Sequence, residues 1–363
     1  MRKISAIVSL FALLSATPAL AQDPEKPEFP SPNAIVDTAP ASDWVKIAPS
    51  DLLVMDLAPY ADNNPRRVII QLMPEPFSQG WIRNIRKLAA ARWWDDTSIN
   101  RVQDNYVVQW GDAGYDNPES GETEQKALPE GLETVPERGY EIATKELMEL
   151  SAGLETNEDA ESLAEEAIAE IYKETEAYRS TNPGELLPWM ILWRALGKNP
   201  YSKVVAFVDG WPVAASDAGI MESIWPIHCY GAVGVGRNYS PDTGSGAELY
   251  TVIGHAPRHL DRNIAVIGRI IEGIEHLSSL PRGKGQLGFY EDASKRVPIA
   301  SIRLGDALGE DSSPAFEYLD TEGETFAKYA DARANRRDPF FIVPAGGADI
   351  CNIPVPVRRV TGN

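Results

Sequence analysis

Four groups of residues in this 363-residue chain have types and spacings that could do chemistry. Asp242-Thr243-Gly244-Ser245 could supply half of a proton-sharing aspartate pair, a hydrolytic chemistry that needs two carboxylates, each at the end of an apolar strand. The residues before it, Asn238-Tyr239-Ser240-Pro241, are polar and turn-like, and the chain holds no second copy, so a surface turn explains Asp242 better. His255 and His259 stand at i and i+4, the spacing of helical zinc ligands. Pro257 lies between them, no Glu follows His255, and Arg258 would oppose the cation. Gly231 to Gly246 is glycine-rich, but no strand–GxGxxG–helix unit surrounds it, so a dinucleotide site is not implied. The fourth group is the block Ile99 to Asp112, which carries Arg101 and Gln109 and contains neither nucleophile nor metal ligand set. With two cysteines and four histidines in all, no metal or cofactor is expected.

The whole-chain balance narrows the partners. Lys plus Arg number 34 against 53 acids, a formal charge of −19. Nucleic acid and anionic lipid are poor partners for such a surface, because phosphate binding needs a basic stripe. An apolar share of 43% permits a sizeable core, and the length suits one large domain or two modest ones. The N-terminus reads Arg2-Lys3, an apolar run from Ile4 to Leu14, then Ser15 to Ala21 ending in an A-x-A site. That pattern predicts a signal peptide over 1–21 and a periplasmic or secreted product, and the run is too short to span a membrane. Cleavage removes Arg2 and Lys3 and takes the formal charge from −19 to −21. An oxidising compartment permits a bridge between Cys229 and Cys351; the alternative is two buried thiols.

The elements that must position these groups follow from periodicity. Residues 22–45 are rich in Pro, Ala, Asp and Glu without periodicity and read as a flexible leader. Leu52–Leu57 and Val68–Leu72 read as a hairpin across Asp62-Asn63-Asn64-Pro65. Trp81, Ile82, Ile85, Leu88 and Ala89 recur at helical spacing, and Tyr106–Trp110 is extended. Residues 158–178 carry a helical stripe, and Leu186–Trp193 is apolar nearly all round, either a buried helix or a partner surface. Val204–Val208 and Trp211–Ala214 form a second hairpin across Asp209-Gly210. Glu272–Leu280 reads as a helix. Cys351–Val357, with Pro354 and Pro356 removing donors from one side, reads as an edge strand, so both cysteines are expected in sheet.

Several separated blocks, taken in order, resemble the cyclophilin family. Ile99 to Asp112 is similar to F-H-R-V-x-x-x-F-x-x-Q-G-G-D, and Gly231 to Arg237 to G-x-x-x-M-A-R/N. Pro241 to Ser245 and Glu248 to Ile253 resemble P-x-S/T and S-Q-F-F-I; His259 to Gly273 resembles W/H-L-D-G-x-H-x-V-F-G-x-V-x-x-G. The resemblance covers roughly 50–112 and 228–282 and implies a mainly β fold. It would be a cyclophilin-like closed antiparallel β-barrel with flanking helices over 46–363. A partly helical insertion at about 113–227 and a C-terminal extension at about 282–363 would enlarge it.

The implied activity is peptidyl-prolyl cis-trans isomerisation in an exported, bacterial-type member that assists folding of exported proteins. Its partners would be proline-containing segments of unfolded or exported proteins. By resemblance Arg101 stabilises the twisted prolyl amide, and Gln109 orients Arg101 or the substrate carbonyl. Tyr106, Val107, Gly236, Arg237, Glu248, Tyr250, His259, Leu260 and Ile264 would bind substrate. The departures are Asn100 for His, Glu248 for Gln, Tyr250 for Phe, Ile264 for His, and His259 where cyclosporin-sensitive members have Trp. A Glu248 carboxylate near Arg101 would neutralise the guanidinium, which leaves a catalytically weak, cyclophilin-like peptide-binding chaperone as the alternative. The Asp-Thr-Gly-Ser tetrad also resembles that of pepsin-like proteases, without its required partner.

Overall fold

The computed structural model describes residues 29–115, 117–143, 186–197, 199–202, 204–216, 223–309 and 312–360, with a few helical positions between 173 and 181. The expected signal peptide and most of the stripe over 158–178 lie outside the described residues. In chain order the strands are β1 (Trp44–Lys46), β2 (Leu52–Leu57), β3 (Arg66–Leu72), β4 (Ser98–Val102) and β5 (Val107–Gly111). Then follow β6 (Ile142–Ala143), β7 (Val204–Val208), β8 (Trp211–Ala215), β9 (Ser223–Pro226) and β10 (Ala232–Val235). The last are β11 (Leu249–Val252), β12 (Val266–Glu272), β13 (Val297–Leu304), β14 (Phe316–Leu319) and β15 (Val357–Arg359).

Eight of these close an antiparallel barrel in the order β10-β11-β5-β4-β13-β2-β3-β12, with β12 pairing back onto β10. The near-continuous apolar run of β2 has a simple cause. Strand side chains alternate faces, and both faces here are covered. Leu53, Met55 and Leu57 enter the main core, while Leu52 and Val54 pack outward with Ile69 and Phe316. The helix Gln79–Ala90 lays Trp81, Ile85 and Leu88 into the same main core. Trp81 Nε1 donates to the Thr243 carbonyl at 3.0 Å, and its ring stacks on Tyr140 at 5.3 Å, which ties the helix to both flanking loops.

Between β5 and β10 the chain builds a separate four-stranded sheet in the order β6-β9-β8-β7. Its tight hairpin turns on Asp209 (φ 47°) and Gly210 (φ 81°), the paired positive φ of a primed turn. Phe207, Ala214 and Trp225 of this sheet share a second core with Trp44, Phe326 and Tyr329, the last two on the helix Glu324–Ala334.

That second core corrects several expectations. The leader is not flexible where described: Pro32–Asp37 is a helix whose Ile35 and Val36 pack on the second core, and β1 pairs with β14. The supposed C-terminal extension from 282 contains β13, a barrel strand between β2 and β4, so the barrel ends at Leu304. Cys351–Val357 is not a strand. Ile350–Asn352 is a short 3-10 turn, and pairing begins only at Val357, after both prolines, on the single neighbour β14. Neither Cys229 nor Cys351 therefore lies in sheet. Glu272–Leu280 is only partly helical, because β12 runs through Glu272 and the helix spans Glu275–Ser278. In the helix Pro188–Leu196, Ala195 and Leu196 are buried, whereas Trp189 and Trp193 are 50% and 75% exposed, which excludes the fully buried reading. No helix among the described residues is long and apolar enough to cross a membrane.

Candidate active site

One row of ladder partners places the site. Arg101 on β4 faces Gln109 on β5, Gln109 faces Tyr250 on β11, and Tyr250 faces Gly234 on β10. Directly opposed residues of antiparallel strands share a sheet face. A cation, an amide and an aromatic ring therefore stand side by side, with Glu248, two residues before Tyr250, on the same face. The register shifts between Ile99 and Arg101, a bulge of the kind that re-aims a side chain beside a functional site.

These side chains border a cavity of about 460 Å³. Of the residues expected at the site, Arg101, Gln109, Tyr106, Val107, Gly236, Arg237, Glu248, Tyr250, Leu260 and Ile264 all line it. His259 does not; it is exposed beside the rim, its ring stacked on Tyr106 at 6.4 Å. Arg237 is pinned to the wall by Nε and Nη2, which donate to the Asn263 carbonyl at 2.9 and 2.8 Å.

Arg101 is held by neutral acceptors. Its Nε donates to the Leu287 carbonyl at 2.8 Å, Nη1 to Gln109 Oε1 at 3.0 Å and Nη2 to Gln103 Oε1 at 2.5 Å. A guanidinium has five N–H donors, so among the described residues two remain without a hydrogen-bond partner. Its charge lies over the rings of Phe289 and Tyr106, at 5.6 and 5.9 Å. Burial lowers the Arg101 pKa below the ordinary guanidinium value.

Burial works against the neutralisation of this cation by Glu248 that the sequence suggests. Burial pushes its carboxyl up to about 8, outweighing donors such as Gln109 and Asn117 that favour the charged form. At neutral pH it is chiefly the uncharged acid, 3.4 Å from Gln109 Nε2. Gly111 makes the room: a Cβ at that glycine would stand 2.0 Å from Glu248 Oε1, and its φ of 143° is unfavourable for other residues.

Three contributors have no signal in residue type. Asn117 accepts from Gln109 Nε2 at 3.0 Å, and Leu287 acts through its main-chain carbonyl. Phe289 reaches Arg101 through an isolated bridge that no strand pattern announces. Asp242 sits in an exposed turn, its carboxylate accepting from the main-chain N–H groups of Asn238 and Gly244. Cys229 and Cys351 are joined by a disulfide, 122 residues apart in sequence.

Residues 63–304 match the family described as cyclophilin type peptidyl-prolyl cis-trans isomerase/CLD, and the chain belongs to that family. It carries a cyclophilin-type peptidyl-prolyl cis-trans isomerase domain, and the family binds proline-containing peptides. Among solved structures it is similar to the cyclophilin AquaCyp293 from Hirschia baltica, at 16% identity and TM-score 0.56, over 88% of this chain and 94% of that one. A cyclophilin type peptidyl-prolyl cis-trans isomerase from Cryptosporidium parvum is similar at 8% identity and TM-score 0.34, over 70% of this chain and 96% of that one. No curated protein matches the sequence.

Proposed function

We propose that this chain is exported and catalyses cis-trans isomerisation of X–Pro bonds in unfolded or proline-loop segments of exported proteins. The barrier to rotation is ~18–20 kcal/mol because amide resonance must be lost. Twisting the bond returns a lone pair to the prolyl nitrogen. A donor that meets that lone pair, and has no counterpart for it in the planar amide, lowers the barrier selectively.

Arg101 supplies that donor in this reading. Gln109 holds its Nη1 in place, and Tyr106, Val107, Tyr250, Leu260 and Ile264 receive the proline ring in the cavity. The observation that supports the reading is that the hydrogen bonds holding Arg101 go to neutral acceptors, which among the described residues leaves two of its N–H groups for the substrate. The binding-only alternative rested on Glu248 and Ile264; burial, which favours the uncharged form of Glu248, weakens the first ground, and Ile264 does line the cavity.

The activity is tested by following cis-trans exchange of a tetrapeptide containing Ala-Pro with and without the protein. Acceleration is expected; binding without acceleration would replace the enzyme with a peptide-binding chaperone. Export is tested separately by N-terminal sequencing of protein produced from the full gene in a bacterial host. A periplasmic product beginning at Gln22 is expected, and an intact Met1 terminus in the cytoplasm would refute it.

A further inference from the structure

Tyr250 brings a hydroxyl to a position where the resembling motif has Phe, and several features of this chain are built around that oxygen. Tyr250 is 5% exposed, and its Oη lies 2.9 Å from His228 Nε2. His228 is fully buried; its Nδ1 and its main-chain N–H both lie 3.0 Å from Asp261 Oδ1. Asp261 Oδ2 accepts from Arg258 Nε at 2.6 Å, and Arg258 is buried as well. The carboxylate can only accept, so Nδ1 is assigned an imidazole hydrogen, and in the neutral tautomer that follows Nε2 offers its lone pair to the Tyr250 hydroxyl. Gly234, opposite Tyr250 in the ladder, leaves space for the phenol: a Cβ there would stand 2.4 Å from both Oη and Cζ.

His228, Asp261 and Arg258 lie behind the cavity wall and do not line it. The Tyr250 and His228 ring planes are within 4° of parallel. Resting on the isomerase reading above, we propose that His228 is a positioning residue, oriented by Asp261 and Arg258, that locks the Tyr250 ring as a preset wall of the proline slot. A wall fixed before binding does not have to be ordered by the substrate. The neighbouring Cys229–Cys351 disulfide anchors the same backbone to the turn Ile350–Asn352.

The test is a double-mutant cycle of His228→Leu and Tyr250→Phe, read as kcat/KM and as affinity for the Ala-Pro tetrapeptide, with thermal unfolding in parallel. In the Tyr250 protein, His228→Leu strands a buried hydroxyl and is expected to cost about fivefold or more, chiefly as raised KM. In the Tyr250→Phe background the same change should cost less than about twofold, because the two residues act as one unit. His228→Gln, which keeps an acceptor, should recover part of the loss. Equal losses in both backgrounds, or none in either, would overturn the proposal. If the unaltered protein binds the peptide without turning it over, the isomerase reading fails and the affinity cycle still decides this inference. If it neither binds nor turns over, both fall.

Discussion

Asn117 Oδ1 accepts from Gln109 Nε2 at 3.0 Å, and through that bond Asn117 determines which end of the Gln109 amide meets Arg101. The logic is a chain of forced choices. Asn117 Nδ2 donates to the Tyr115 carbonyl at 2.7 Å, and a carbonyl can only accept. Asn117 must therefore turn its oxygen to Gln109, Gln109 must answer with its NH2, and its oxygen is left for Arg101 Nη1. Removing the Gln109 amide takes a hydrogen bond from a charged group, so Gln109→Ala should lower kcat/KM about tenfold or more. Asn117→Ala should act in the same direction and less strongly. Steady-state kinetics of the two variants check this; a larger loss for Asn117→Ala than for Gln109→Ala would contradict it.

Glu248 makes stability depend on pH in the direction opposite to a paired carboxylate. Its folded pKa is about 8 against an ordinary 4.5, so the folded chain holds a proton that the unfolded chain releases between those values. Stability therefore falls as pH rises from about 4.5 to about 8, with the full penalty above that range. Glu248→Gln removes the slope and raises Tm at pH 8.5 by several degrees. Above pH 8 the new carboxylate beside Gln109 should also slow the wild type while the variant stays flat. Thermal unfolding and rates from pH 5 to 9 decide it, and parallel profiles for the two proteins would refute this account of Glu248.

The Cys229–Cys351 bridge closes a loop that contains the barrel strands β10 to β13, β14 and the helix Glu324–Ala334. For a loop of 122 residues, the chain-entropy argument gives at most about 4–5 kcal/mol. Protein alkylated without reduction should show no free thiol by mass spectrometry, and Cys229→Ser with Cys351→Ser should unfold at clearly lower denaturant. Two labelled thiols would refute the bridge.

His259 lies beside the rim and does not line the cavity; it is exposed and stacked on Tyr106. If it occupies the position of the family's Trp, the indole donor that serves cyclosporin is replaced by an imidazole. One lost hydrogen bond of this kind costs ~1–3 kcal/mol, or about 5- to 150-fold in affinity. Weak cyclosporin binding is expected, strengthened by His259→Trp; calorimetry showing nanomolar binding by the unmodified protein would contradict it.

The barrel is legible where apolar runs are strong and local. Leu52–Leu57 and Val68–Leu72 declare themselves because both faces of β2 are buried, and the Asp209-Gly210 turn because its backbone demands positive φ. β13 was missed because Pro298 and Arg303 interrupt its pattern and it lies beyond the resembling motifs. The helix Pro32–Asp37 is six residues long, too short to show a 3.6-residue stripe, and its burial comes from partners some 300 positions away. At the site, residue types and motif order brought together Arg101, Gln109 and the apolar wall. The charge of Glu248 is not legible in the sequence because it depends on burial, which favours the uncharged form. Asn117, Leu287 and His228 act through an amide, a main-chain carbonyl and a buried imidazole, whose partners are set by tertiary contact alone.

The account turns on Arg101 as the group that recognises the twisted amide, and exchange spectroscopy on the Ala-Pro tetrapeptide addresses it most directly. Wild type should accelerate isomerisation, and Arg101→Ala should lose on the order of 100-fold in rate, the scale of one removed transition-state donor. Its peptide affinity should change little, because the cavity walls remain. An Arg101→Ala protein that keeps most of the wild-type rate, or that loses binding in proportion to rate, would contradict the central claim.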